Sequence, residues 1–176
     1  MDIDNLIIEA QRNNKQAFGE LVKYYQKRVY FLAFRLMACE EDAQDIAQEA
    51  FVKAWINIAK YNPRYKFITW LFKITSNLCY DKLRQSKQHV SEYAEIKDYY
   101  DLEKEIINKE TALLITQFTN TLTPKQRLVF TLKDMEGLET FEIEQITGLS
   151  PAKIKSNLYL ARKVIKQKLN NLNTDK

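Results

Sequence analysis

Residues 140–165 read TFEIEQITGLSPAKIKSNLYLARKVI, and this stretch decides the fold. A short helix is expected from Thr140 to Thr147. The run Gly148-Leu149-Ser150-Pro151 then turns the chain into a long final helix, with Gly148 stopping the first helix and Ser150 capping the second. Helix, tight glycine turn and basic helix is the form of a helix-turn-helix, whose second helix lies in a major groove. On that helix Ile154, Leu158, Ala161 and Ile165 recur at helical spacing and face inward. Lys153, Lys155, Ser156, Asn157 and Tyr159 are left outward near its start, side chains that suit phosphate anchoring and base-edge hydrogen bonds. A plain helical hairpin with a lysine-rich surface carries the same pattern, and the stretch alone leaves both readings open.

Working outward, Thr123 and Pro124 supply an N-cap and a proline at the first helical position, predicting a helix from Pro124 to Met135 that Gly137 ends. Upstream, helical spacing at Ile107, Leu114 and Phe118 begins this C-terminal unit. Between Gln85 and Lys104 periodicity fades and acidic residues gather, which reads as a flexible linker. The organisation expected is therefore an N-terminal domain over residues 1–88, a linker over 89–105 and a C-terminal domain over 106–176.

The N-terminal half repeats the helical signal. After a short helix at Asp4–Arg12, a stripe of Phe18, Leu21, Val22, Tyr25, Val29, Leu32 and Leu36 predicts a buried face on a helix from Lys15 to Ala38. A second stripe of Ala43, Ile46, Ala47, Ala50, Phe51, Ala54 and Ile58 runs from Glu40 to Ala59, its small residues allowing close helix contact. Asn62-Pro63 breaks the chain before a helix opening at Phe67, which buries Phe67, Trp70, Leu71, Ile74 and Leu78. With only three glycines and three prolines among 176 residues, there is little turn chemistry for a sheet, and the fold class is all-α.

Composition excludes several functions. Cys39 and Cys79 belong to no metal-spaced cluster and read as reduced, buried thiols. The lone His89 has no nucleophile beside it and reads as a surface residue. No metal, cofactor or catalytic residue is expected. Neither a secretory leader nor an apolar run near ~18 residues is seen, so the protein is expected in the cytoplasm without membrane insertion. The formal net charge is only +4, but residues 151–169 carry Lys153, Lys155, Arg162, Lys163, Lys166 and Lys168 with no acid.

Two further surfaces carry chemistry. Lys66, Lys73, Asn77, Tyr80, Arg84 and Lys87 repeat opposite the apolar stripe of the Phe67 helix, and the loop Tyr61-Asn62-Pro63-Arg64-Tyr65 sets rings beside a cation. That combination suits single-stranded nucleic acid, although an ordinary core with a solvated basic face has the same spacing. On the preceding helix Asp42, Asp45, Gln48 and Glu49 form a polar face flanked by Phe51 and Trp55. No histidine or phosphate loop completes a catalytic set there, and a protein partner fits such a face better.

These residues resemble a known family, the sigma-70 superfamily in its extracytoplasmic-function branch. DAQDIAQEAFVKAW (42–55) resembles the core-binding signature of region 2. AFGELVKYYQKRVYFLAFRL (17–36) is similar to the opening helix of that region, and FITWLFKITSNLCYDKLRQ (67–85) to its promoter-melting helix. The stretch from Leu122 to Ile165 is similar to region 4. The resemblance implies an alternative sigma factor, not an enzyme, whose partners are the two largest subunits of core RNA polymerase and promoter DNA, duplex and single-stranded. An anti-sigma factor is a further partner the family often has.

Carried over by position, Asp42, Asp45, Gln48, Glu49, Phe51 and Trp55 would meet the polymerase. Asn62, Arg64, Tyr65, Lys66, Trp70, Lys73, Asn77 and Arg84 would serve the minus-ten element. Lys153, Lys155, Ser156, Asn157, Tyr159 and Arg162 would serve the minus-thirty-five element. The chain departs from the family pattern at Glu144, where alanine is usual, at Glu139, where a serine cap is common, and at Asn157 and Leu160, where arginine is frequent. Two other readings follow from the residues alone: a helix-turn-helix transcription regulator, which leaves the 42–55 signature unexplained, and a helical adaptor that binds no DNA.

Overall fold

The computed structural model describes residues 2–86 and 117–174, with side chains placed over 2–85 and 117–171. The expected linker, His89, Lys87 and the positions Ile107 and Leu114 lie outside the described residues.

Four helices build the N-terminal group. Asp2 caps α1 (Ile3–Gln11) by accepting the Asn5 N–H at 3.2 Å. The Asn14 side chain caps α2 (Lys15–Met37) by accepting from Gln16 and Ala17. Ala38, in the left-handed region at φ 54°, stops α2 and swings the chain into α3 (Glu40–Asn57). Three acids, Glu40, Glu41 and Asp42, occupy the first turn of α3, where the helix dipole favours them. A short 3-10 turn (Ile58–Lys60) and an irregular loop lead to α4 (Phe67–Ser86), which takes in the first residues of the polar stretch that reads as linker.

The expected stripes are the buried ones for the most part, with Trp70 and Ile74 of α4 only partly covered. Leu21, Val29 and Leu32 of α2 are fully enclosed, and so are Ala43, Ala50 and Ala54 of α3. The alanines let α3 lie close against α2, while Leu71, Phe72 and Cys79 of α4 close the bundle. Val22 and Ala47 are only partly covered, because the stripe opens there into a groove. The thiols differ from expectation: Cys79 is buried, but Cys39 is half-exposed because it sits at the turn into α3.

In the C-terminal group, Thr123 and Gln126 exchange bonds at 3.3 and 3.2 Å at the start of α5 (Pro124–Phe130). The sequence predicts one uniform helix to Met135. Instead the last turn, Thr131–Met135, widens to a π-helical one, closed by the Glu136 N–H on the Thr131 carbonyl at 2.9 Å. Helix α6 (Thr140–Thr147) ends at Gly148 with φ 67°, and α7 (Pro151–Thr174) begins with the Lys153 N–H on Ser150 Oγ at 3.4 Å. Leu128, Val129, Leu132, Ile143, Ile146 and Ile154 make the core of this group.

The described residues contain no strand. The two helical groups share one continuous apolar cluster, with α6 packed on α4 and α5 beside α2. No described helix is long and apolar enough to cross a membrane.

Candidate nucleic-acid interface

The turn Gly148-Leu149-Ser150 sets α7 against α6 by burying Ile154 and Ala161, with Leu158 and Ile165 partly covered. The opposite side of the first three turns is open. Lys153, Lys155, Ser156 and Tyr159 are all exposed there, Tyr159 by 65 %. Two cations, a hydroxyl and a phenol within the first nine residues of a helix form a surface that can enter a groove. Asn157 is half-buried and donates back to the Lys153 carbonyl at 2.7 Å, so it stiffens the helix more than it faces outward. Arg162, expected to face a phosphate backbone, is held in a two-pronged bond by Asp134 of the π turn at 2.8 and 2.6 Å. Its pKa is raised by that bond.

The second surface is the loop before α4. Tyr61 is buried and packs on Phe67 and Trp70 at ring separations of 5.2 and 5.4 Å. Its hydroxyl donates to the Tyr65 carbonyl at 2.5 Å, and Gln11 of α1 donates to the Ile58 and Tyr61 carbonyls at 3.1 Å. Asn62 accepts the Arg64 N–H at 3.0 Å, tightening the tip. The rings of the motif therefore divide: Tyr61 is core, while Tyr65 is exposed beside Asn62, Arg64 and Lys66. Along α4, Lys73 and Asn77 are exposed, Arg84 is exposed and paired with Asp81, and Trp70 is half-buried in the aromatic cluster. Tyr80, read as part of the outward basic face, instead turns inward and donates to the Pro124 carbonyl at 3.4 Å. Burial pushes its pKa up to about 12.

The polar face of α3 also divides. Asp42 is half-buried and bonded to Lys82 of α4 at 2.6 Å, with Asp45 3.8 Å from the same ammonium. The bond to Asp42 raises the Lys82 pKa. Glu49 pairs with Lys53 one turn on. Gln48, Phe51 and Trp55 face an open groove of about 720 Å³ between α2 and α3, completed by Phe18, Val22 and Phe31. Beside it Val52 and Ile56 are 52 and 70 % exposed. These apolar residues lie off the buried stripe of α3, and that misplacement was the signal in the sequence for a groove that reading by charge missed.

Sequence reasoning also missed a set of ions between the helical groups. Glu136 is bonded by Arg28 at 3.0 Å and Arg35 at 2.7 Å, and Glu142 by Lys66 at 3.1 Å. Nothing in a linear reading pairs residues that far apart, although Glu142, three residues after the helix cap Glu139, holds a capping position. No group of three or more potential metal ligands occurs among the described residues.

The chain matches Sigma-70 region 2 over residues 21–89 and Sigma-70 region 4 over residues 112–165. It is 29 % identical to the ECF RNA polymerase sigma factor SigW of Bacillus subtilis, across 98 % of this chain and 99 % of that one. It is 28 % identical to the ECF RNA polymerase sigma-E factor of Haemophilus influenzae, across 93 % of each. Among solved structures its fold is similar to that of CnrH in complex with the cytosolic domain of CnrY, with a TM-score of 0.73, 24 % identity and coverage of 97 % of this chain and 99 % of that one. The sigma factor RpoE of Bartonella quintana, solved with the anti-sigma factor NepR, gives a TM-score of 0.73 at 20 % identity over 87 % of this chain and 96 % of that one. With both sigma regions present in order along one helical chain, the protein belongs to the extracytoplasmic-function branch of the sigma-70 family.

Proposed function

We propose that this alternative sigma factor joins core RNA polymerase through the α2–α3 face, reads duplex promoter DNA with the start of α7, and holds melted single strand with the loop before α4. The observation that carries the reading is the exposed quartet Lys153, Lys155, Ser156 and Tyr159 at the open end of a helix-turn-helix. Lys153 and Lys155 anchor phosphates of the minus-thirty-five element, and Ser156 and Tyr159 reach base edges. Asn157 and Arg162 support this surface from within, Arg162 by bracing α7 to Asp134.

Tyr65 supplies the ring, and Arg64 and Lys66 the charge, that hold an extruded base and its phosphates at the minus-ten element, with Asn62 shaping the loop. Lys73, Asn77 and Arg84 continue the path along α4, while Trp70 supports the loop from beneath. Unstacking a base costs a few kcal/mol, which binding at this loop offsets without nucleotide hydrolysis. On α3, Gln48, Glu49, Phe51 and Trp55 meet the largest polymerase subunit along the groove, with Asp42 and Asp45 setting its acidic margin. Region 4 engages the second-largest subunit. The protein performs no catalysis of its own, works in the cytoplasm, and is open to capture by an anti-sigma factor.

Run-off transcription with core polymerase and host promoter fragments tests this. Wild type yields promoter-specific transcripts. Gln48→Ala/Trp55→Ala lowers them through lost core binding, measurable separately by co-purification. Lys155→Ala keeps core binding and loses promoter selection. Absence of any transcript together with specific duplex binding by the protein alone points to a stand-alone regulator, and absence of both polymerase and DNA binding points to a helical adaptor.

A further inference from the structure

We infer that two glutamates of the C-terminal group, Glu136 and Glu142, form a latch that keeps the free protein closed and withholds the loop before α4 from single-stranded DNA. Each has its carboxylate almost wholly enclosed, at 9 and 3 % side-chain exposure, and each finds its partners across the boundary between the helical groups. The π turn at the end of α5 delivers Glu136 to α2, where Arg28 and Arg35 take both oxygens. Glu142, in the first turn of α6, accepts its own backbone bond from the Glu139 N–H at 2.9 Å with one oxygen. Its other oxygen accepts from Lys66 Nζ at 3.1 Å and from Thr69 Oγ1 at 3.3 Å, at the start of α4. Arg127 adds a third tie, donating to the Leu36 carbonyl at 2.8 Å.

The position of this second pair is what gives it a consequence. Lys66 is one of the cations that the single-strand reading assigns to phosphate, and here its counter-ion is a carboxylate of the same chain. While α6 lies on α4, a nucleic-acid strand approaching the loop finds the charge of the exposed Lys66 already compensated by the Glu142 carboxylate behind it. The latch can open because its cations already lie partly in water, Arg28 at 42 % and Lys66 at 68 % side-chain exposure: on separation the enclosed carboxylates regain water, and DNA phosphates replace the carboxylate at Lys66. Apparent affinity for DNA then scales with the fraction of molecules that are open. The occlusion rests on the single-strand reading above; the closure itself does not.

The test uses the full chain carrying Glu136→Gln/Glu142→Gln, with helix content checked by circular dichroism. Small-angle scattering reads closure, and fluorescence anisotropy with a single-stranded oligonucleotide of promoter sequence reads occlusion. Expected are a larger radius of gyration and binding tightened by about tenfold, the ratio that 1.4 kcal/mol makes. Wild type taken from 0.1 to 1 M NaCl gives a second measurement of closure should the variant lose helix, and it should expand at constant helix content. A radius unchanged in the folded variant and in salt overturns the latch. Expansion without tighter binding upholds the latch and counts instead against the single-strand role of the loop.

Discussion

Cys79 shows how much one position depends on its surroundings. Its thiol is fully enclosed between α4 and the rest of the bundle, and burial pushes its pKa up to about 12. Thiolate is the reactive form, so at pH 8 Cys79 is both unreachable and protonated. Cys39 sits half-exposed at the turn into α3. In native protein a thiol reagent such as DTNB should therefore titrate one cysteine quickly, lost in Cys39→Ser, and the second only at the rate of unfolding. Two fast thiols would show that the α4 core opens readily. Isolation of both cysteines from any metal-spaced cluster was legible in the sequence, since spacing alone decides it. Their different burial was not, because Cys79 falls on the inner side of a helix and Cys39 on a helix boundary that the φ of 54° at Ala38 creates.

At the scale of elements, the glycines give paired predictions of opposite sign. Gly148 terminates α6 at φ 67°, a conformation that costs an L side chain roughly 1–2 kcal/mol, although a Cβ there would meet open space. Gly19 lies inside α2, where a Cβ would also touch nothing, and alanine there is worth roughly 0.5–1 kcal/mol. Thermal melts should place Gly148→Ala below wild type and Gly19→Ala above it; the reverse order for Gly148 would mean that the helix-turn-helix bend lies elsewhere. The helices themselves were readable because caps, stripes and breakers agree, as at Thr123, Gly148 and Ser150. The π turn was not readable, since Thr131–Met135 has ordinary helical spacing and the widening follows from tertiary partners at Glu136 and Asp134. The same limit applies to the site. The outward face of α7 followed from periodicity, whereas the diversion of Arg162 and Tyr80 into internal bonds depends on neighbours 28 and 44 residues away.

For the molecule as a whole, the shared apolar cluster and the ionic ties couple the two helical groups, and acid should uncouple them in a defined window. Burial by itself would raise the Glu142 pKa, but the bonds from the Glu139 N–H, Lys66 and Thr69 outweigh it and leave the carboxyl below the ordinary value of 4.5. A carboxylate whose pKa is depressed by folding contributes stability that is complete above its unfolded value and disappears as the pH falls through the folded one. The comparison to make is wild type against Glu142→Gln, which cannot titrate at that position, so that carboxylates common to both cancel. At pH 7 wild type should be more stable by about 1.5–3 kcal/mol, the range for hydrogen bonds to a charged group. That gap should hold down to about pH 4.5 and close below it, as protonated Glu142 releases Lys66. Urea melts at a series of pH values measure it directly. A gap that stays constant down to pH 2.5 would place the contribution of Glu142 in its shape and not its charge, leaving Glu136 with Arg28 and Arg35 as the ionic tie between the groups.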